Sequence, residues 1–205
     1  IEEDGGVEGF HFEVTEKGHQ VEKISKLPEI KENWFLGNTS HVVDLAFFLG
    51  GAPIDITCFS SSKTDWHSRS ANFAGAGVTK HNALFSYRGN WNAPGSWGVE
   101  ILTKKNKLIL CPLEKLQRQK LGSSAIEEVE IDDRLDQLFK PGLYQQLNSF
   151  LKGDVRNLCP IQEHLENCKH YLKMANYLPD IANNILPGEK IDSIAYGCTS
   201  GTVAI

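Results

Sequence analysis

The feature that most constrains the fold is a run of short segments in which apolar and polar residues alternate, separated by gaps of a few residues. Ile54, Ile56 and Cys58 begin this run. The same two-residue period predicts further strands at 71–78, 82–91, 97–103, 107–112 and 126–131, with 113–121 as another strand or an irregular edge. Gaps this short allow hairpins, so the strands are expected to be mostly antiparallel.

The segments before this run are more irregular. Residues 1–9 are acidic and Gly-rich and predict a loop, and 10–15 alternate as a strand. Residues 16–33 are polar, contain Pro28 and predict a long loop. Both ends of the chain are expected to be cuts, which makes 1–9 a truncated lead-in.

Three helices are predicted around the strands. Apolar residues recur at helical spacing from about His41 to a stop at Gly50-Gly51, and residues 38–40 are candidate N-caps. Two amphipathic helices are predicted at 141–152 and 160–177. This order predicts an α+β domain, in which an open, mostly antiparallel sheet carries its helices on one face.

Composition narrows the class of partner. The net charge of -5 argues against a nucleic-acid partner, which needs a positive field. No apolar run approaches the ~20 residues of a membrane span. The five cysteines are odd in number and form no CxxC pair, so neither a metal site nor a disulfide framework is expected, and a cytoplasmic protein is predicted.

Residues 33–51 read NWFLGNTSHVVDLAFFLGG and resemble the helix of Gfo/Idh/MocA oxidoreductases that carries a His-x-x-Asp signature. Here the signature residues are His41 and Asp44. The later segments FKPGLYQQLNSFLKG and PIQEHLENCKHYLK repeat the order of elements found in that family. The resemblance covers residues 10–173, which it identifies as the substrate-side domain of an NAD(P)-dependent sugar or polyol oxidoreductase.

The resemblance implies roles for particular residues. Oxidation of an alcohol needs a general base, and a histidine such as His41 suits that task. Asp44 lies three residues further on the same helix face and is expected to orient His41 or to contact the substrate. Asn38, Trp34 and Trp66 are further substrate-binding candidates. The alternative is structural, with His41 in a small polar cluster and Asp44 as an ordinary first-turn acid.

Two features depart from the family pattern. Many members have an aspartate four residues before the histidine, where this chain has Gly37. The family's nucleotide-binding Rossmann half is also absent, because Gly75-Ala76-Gly77 lacks the third glycine and the following helix of a dinucleotide fingerprint. We interpret it as a pair of sheet glycines. NAD or NADP is therefore expected to be bound mainly by a missing N-terminal domain, and this chain alone is expected to be inactive.

The remaining residues, 174–205, resemble the aspartate/glutamate racemase superfamily, in particular relatives of maleate isomerase and arylmalonate decarboxylase. A strand at 191–196 is expected to enter the turn GCTSG. That resemblance makes Cys198 a nucleophile, with Thr199 and Ser200 near a substrate carboxylate. The segment is too short to fold alone and is expected to be a foreign fragment.

Three functions therefore remain open. The first is the substrate-binding domain of a sugar or polyol oxidoreductase, which forms homo-oligomers through its open sheet. The second is a cysteine-dependent isomerase or decarboxylase centred on Cys198. The third is a purely structural oligomerisation module. Among the other residues, Trp91 is expected in the core and His67 in a solvated loop.

Overall fold

The alternating segments form eight strands of one open sheet in the computed structural model, which describes residues 1–156 and 158–177. The strands are β1 (Val7–Val14), β2 (Pro53–Ser61), β3 (Asn72–Thr79), β4 (Leu84–Asn90), β5 (Trp97–Thr103), β6 (Asn106–Leu110), β7 (Leu116–Lys120) and β8 (Ile126–Val129). Their order across the sheet is β2-β3-β4-β1-β5-β6-β7-β8. Only β1 and β4 pair in parallel, so the prediction of a mostly antiparallel sheet is confirmed.

Six α-helices accompany the sheet in the described part of the chain. They are α1 (Gly18–Val21), α2 (Pro28–Glu32), α3 (Ser40–Gly50), α4 (Arg134–Leu138), α5 (Leu143–Lys152) and α6 (Ile161–Ala175). A 3₁₀ turn spans Glu2–Asp4, and a π-helical turn, Phe35–Thr39, leads into α3. The predicted α+β class is therefore confirmed.

Two loop predictions were wrong. Residues 1–9 contain the 3₁₀ turn and the start of β1, and 16–33 contain α1 and α2. Pro28, which suggested a loop, lies at the start of α2, where its missing N–H costs nothing. The short helix α4 was not predicted.

The prediction of side-chain N-caps for α3 was also wrong. The π-helical turn already continues into α3, and no side chain caps the helix. Ser40 Oγ instead donates to the Leu36 carbonyl at 2.6 Å, and Thr39 Oγ1 donates to the Glu16 carboxylate. A helical turn ahead of α3 supplies partners for its first N–H groups, which leaves these hydroxyls available for other contacts.

An aromatic layer fixes α3 onto the centre of the sheet. Phe12 of β1 stacks on Tyr87 of β4 with ring centroids 5.4 Å apart, and Phe10 stacks on Phe85 at 5.1 Å. Phe47 of α3 meets Phe12 edge-on at 5.7 Å. These rings are buried, so the position of α3, and with it that of His41, is set by packing against β1 and β4.

The glycines of β3 make room for the same rings. A Cβ on Gly75 would collide with the Tyr87 ring and the Thr57 carbonyl, and one on Gly77 with the Phe85 ring and the Asp55 carbonyl. The interpretation of Gly75-Ala76-Gly77 as sheet glycines is confirmed, because both glycines lie under aromatic side chains within a paired strand.

We expect Gly77→Ala to lower the free energy of unfolding by about 1–3 kcal/mol, since the added methyl overpacks the core against Phe85. Gly37→Ala is the matched control, because a Cβ there meets nothing within 4 Å. Urea unfolding of both variants measures the difference. Equal stabilities would contradict the close packing described for β3.

The opposite face of the sheet carries exposed apolar residues. Phe59 of β2 and Leu84 of β4 are each 68% exposed, and Leu102 of β5 is also exposed.

In the described part of the chain, all six α-helices are too short or too polar to span a bilayer. Residues 178–205, including Cys198, Thr199 and Ser200, lie outside the described residues.

Candidate functional site

His41 and Asp44 line the same cleft, with a volume of about 690 Å³, between α3, α5 and the start of α6. Leucines from α5 form an apolar wall, and His164 and Asn167 of α6 contribute polar groups. The i, i+3 spacing on α3 brings the two motif residues to this cleft, as helical geometry requires. Their chemical roles stay predictions.

The carboxylate of Asp44 is held in place by α6. Tyr171 donates its hydroxyl hydrogen to Asp44 Oδ1 at 2.7 Å, and Asn167 Nδ2 donates to the same oxygen at 3.3 Å. Tyr171 is buried. Two donors from one helix fix the orientation of the carboxylate and join α3 to α6 at the wall of the cleft.

His41 is only 8% exposed, and its ring lies 6.4 Å from that of Trp97, centroid to centroid. Burial lowers the pKa of its imidazole, the nearby Asp44 carboxylate opposes this by raising it, and Lys140 and His164 lower it further. The net direction of the pKa is downward, which favours the neutral imidazole. A neutral imidazole is able to accept a proton.

A second group of predicted site residues gathers around Glu16, which is buried. Asn38 Nδ2 donates to Glu16 Oε1 at 3.1 Å, and Thr39 Oγ1 donates to the same oxygen at 2.5 Å. Burial raises the pKa of Glu16, while the hydrogen bonds from Thr39 and Asn38 act in the opposite direction. Glu16 could not be identified from the sequence, because residues 16–33 predict a polar loop in which a glutamate is ordinarily exposed to solvent.

The indoles of Trp34 and Trp97 complete this buried cluster. Both indole N–H groups lie near enough to the Glu16 carboxylate to lower its pKa slightly, although neither is placed well enough to count as a hydrogen bond to a described residue. Trp34 is buried and lies in the helical stretch before α3.

Trp66 lines a different cavity, of about 590 Å³, together with Glu16, His19 and Trp91. Its ring meets that of Trp34 edge-on at 6.1 Å. The structure thus groups Trp34, Asn38 and Trp66 around Glu16 rather than with Asp44. Whether any of them contacts a substrate stays a prediction.

His67 does not lie in a solvated loop as expected. Its side chain is fully buried, and Nε2 lies 2.7 Å from the Tyr177 hydroxyl. The ring also meets Trp91 at 5.0 Å, and Trp91 is buried as predicted. Tyr177 follows α6, 110 positions later in the chain, so no local pattern could have indicated this partner.

The buried Glu16 predicts a pH dependence of stability. Because its pKa is raised in the folded protein, its contribution to stability is fully present below the ordinary glutamate pKa of about 4.3 and is lost as the pH rises through the raised value. Glu16→Gln retains an acceptor oxygen but cannot titrate, so the variant should gain stability relative to wild type as the pH rises through this window. Urea unfolding across that range measures the difference, and a pH-independent difference would contradict it.

Comparison with solved structures identifies proteins that share the fold of this chain. No protein-family model and no curated protein matches the sequence. The structure is similar to the WlbA dehydrogenase from Bordetella pertussis, solved with NADH and UDP-GlcNAcA, with a TM-score of 0.59 and 15% identity over 86% of this chain and 55% of that one. A putative NADPH-dependent oxidoreductase from Desulfitobacterium hafniense matches with a TM-score of 0.60 and 12% sequence identity, over 88% of this chain and 57% of that one. Apo levoglucosan dehydrogenase matches with a TM-score of 0.51 and 15% sequence identity, over 65% of this chain and 44% of that one.

The chain therefore spans about half the length of the solved structures that it matches. Identities this low establish a shared fold, and the proteins that share it are sugar dehydrogenases and other oxidoreductases. This confirms the fold that the His-x-x-Asp resemblance implied for the main part of the chain. The racemase-like resemblance falls largely on residues outside the described part.

Proposed function

We propose that this chain is the substrate-side domain of an NAD(P)-dependent sugar or polyol oxidoreductase of the Gfo/Idh/MocA type, with residues 10–173 as the domain. The observation that carries the proposal is the meeting of His41 and Asp44 in one cleft of a fold shared with sugar dehydrogenases. An acidic and a basic group beside an apolar wall suit a ligand with both hydroxyls and C–H faces.

In this proposal His41 is the general base. A hydroxyl that becomes a carbonyl loses its O–H proton as a hydride leaves the carbon, and His41 receives that proton. A nicotinamide supplies the hydride acceptor when bound. Asp44, held by Tyr171 and Asn167, positions the imidazole or the substrate hydroxyl.

The described residues do not themselves fit a dinucleotide. The G-x-G of β3 is packed under Tyr87 and Phe85, so its backbone is not available to a pyrophosphate. We therefore assign the cofactor to a separate nucleotide-binding domain and derive no step through it from this chain.

The exposed apolar face of the sheet is the proposed contact between copies of the chain. Phe59, Leu84 and Leu102 lie there, away from the helices. Burial of such residues would favour association. We place the protein in the cytoplasm, in keeping with Cys58, Cys111, Cys159 and Cys168, which form no disulfide among the described residues.

The test is enzymatic. The chain is joined to the nucleotide-binding domain of a structurally similar dehydrogenase, and reduction of NAD⁺ and NADP⁺ is followed with sugars, polyols and nucleotide sugars. We expect substrate-dependent reduction by this joined protein and none by the nucleotide-binding domain alone. An activity on dicarboxylates that Cys198→Ala alone abolishes would support the isomerase alternative instead.

A further inference from the structure

A cluster of three potential metal ligands lies at the α6 end of the cleft. Asp44 comes from α3, Cys159 directly precedes Pro160 at the N-terminus of α6, and His164 lies in the first turns of that helix. One ligand atom from each of the three lies within 4.8 Å of the other two. We propose that they bind a zinc-class divalent cation.

The chemistry of the three side chains supports this choice of ion. A thiolate, an imidazole and a carboxylate form a mixed soft and hard set, which suits Zn²⁺ better than Mg²⁺ or Ca²⁺. Zinc bonds of about 2.0–2.3 Å place ligand atoms roughly 3.3–3.8 Å apart. Ligand atoms within 4.8 Å of one another are therefore at most about 1–1.5 Å farther apart than zinc requires, a difference that small side-chain rotations, above all of the exposed Cys159, can remove.

The surroundings provide the outer contacts that such a site requires. Tyr171 and Asn167 both donate to Asp44 Oδ1, and Cys168 Sγ lies 3.5 Å from His164 Nε2. Outer partners of this kind orient ligands and support their affinity. Three protein ligands leave a fourth position for water or a substrate oxygen, and all three residues line the cleft that contains His41.

The proposal is independent of hydride transfer, because it needs only the three ligands. The full chain is stripped of metal with a chelator and then titrated with Co²⁺ in an absorption experiment and with Zn²⁺ by calorimetry. We expect one equivalent of each ion to bind, and Co²⁺ to give a thiolate charge-transfer band in the near ultraviolet.

Variants separate the cluster from other thiols. Cys159→Ser should abolish the Co²⁺ charge-transfer band. Cys159→Ser and His164→Ala should each weaken Zn²⁺ binding by more than about 10-fold, because each removes a ligand. Tyr171→Phe removes only an outer hydrogen bond to Asp44 and should weaken Zn²⁺ binding about 10-fold. Cys111→Ser is the matched control, since Cys111 is also an exposed thiol but lies outside the cleft. Wild type that binds neither ion, or a band that persists in Cys159→Ser, would overturn the proposal.

Discussion

Replacing His41 with alanine should lower kcat/KM for sugar oxidation by the joined protein about 100- to 10,000-fold, the range that a positioned general base contributes. Burial lowers the pKa of its imidazole, which favours the neutral form that accepts a proton, and His41 lines the cleft together with Asp44. Alanine leaves the substrate hydroxyl without a proton acceptor, so the loss should fall mainly on kcat rather than on KM.

His19→Ala is the control for this experiment. His19 is exposed and lines the second cavity beside Trp66, so its removal should leave kcat/KM within about twofold of wild type. Thermal unfolding of both variants checks that the fold is intact. If His41→Ala and His19→Ala retain equal activity, His41 is not the base.

Phe12→Ala should lower the free energy of unfolding by about 3–5 kcal/mol. Phe12 is completely buried at the centre of the sheet, and its ring meets those of Phe10, Phe47, Phe85 and Tyr87. Alanine loses the buried area of the ring and leaves a cavity under α3 that the surrounding rings cannot fill without leaving their own contacts.

Urea unfolding followed by circular dichroism measures this loss. Leu84→Ala is the control, because Leu84 is 68% exposed on the opposite face of the sheet and its loss should change stability by less than about 0.5 kcal/mol in the isolated chain. Comparable losses in the two variants would show that the aromatic layer does not hold the sheet and α3 together.

The sheet could be predicted because alternation is a local signal. β5, at Trp97–Thr103, has the bounds that the pattern predicted. The parallel pairing of β1 with β4 could not be predicted in the same way, since the paired residues, such as Phe10 and Phe85, are far apart in the chain. The helices within 16–33 were missed because they are short and polar, which leaves no periodicity to detect.

The candidate site, like the sheet, could be predicted only where its features are local in the sequence. His41 and Asp44 were found together because their spacing on one helix is itself local. The contacts that define their surroundings are not local: Asp44 binds Tyr171 127 positions away, and His67 binds Tyr177 110 positions away. The expectation that the chain has no metal site stays a prediction; it rested on the lack of a CxxC pair, a rule that does not detect side chains brought together in space, as Asp44, Cys159 and His164 are.

Locating the bound substrate in the chain itself would show whether the cleft of His41 and Asp44 is the substrate site. Histidine side chains labelled with ¹⁵N report on both cavities, since His41 and His164 line the cleft and His19 lines the cavity of Trp66. On titration with a sugar that the joined protein oxidises, we expect saturable shifts of the His41 imidazole signals, while those of His19 stay unchanged. Shifts confined to His19 would contradict it and place the substrate beside Trp66.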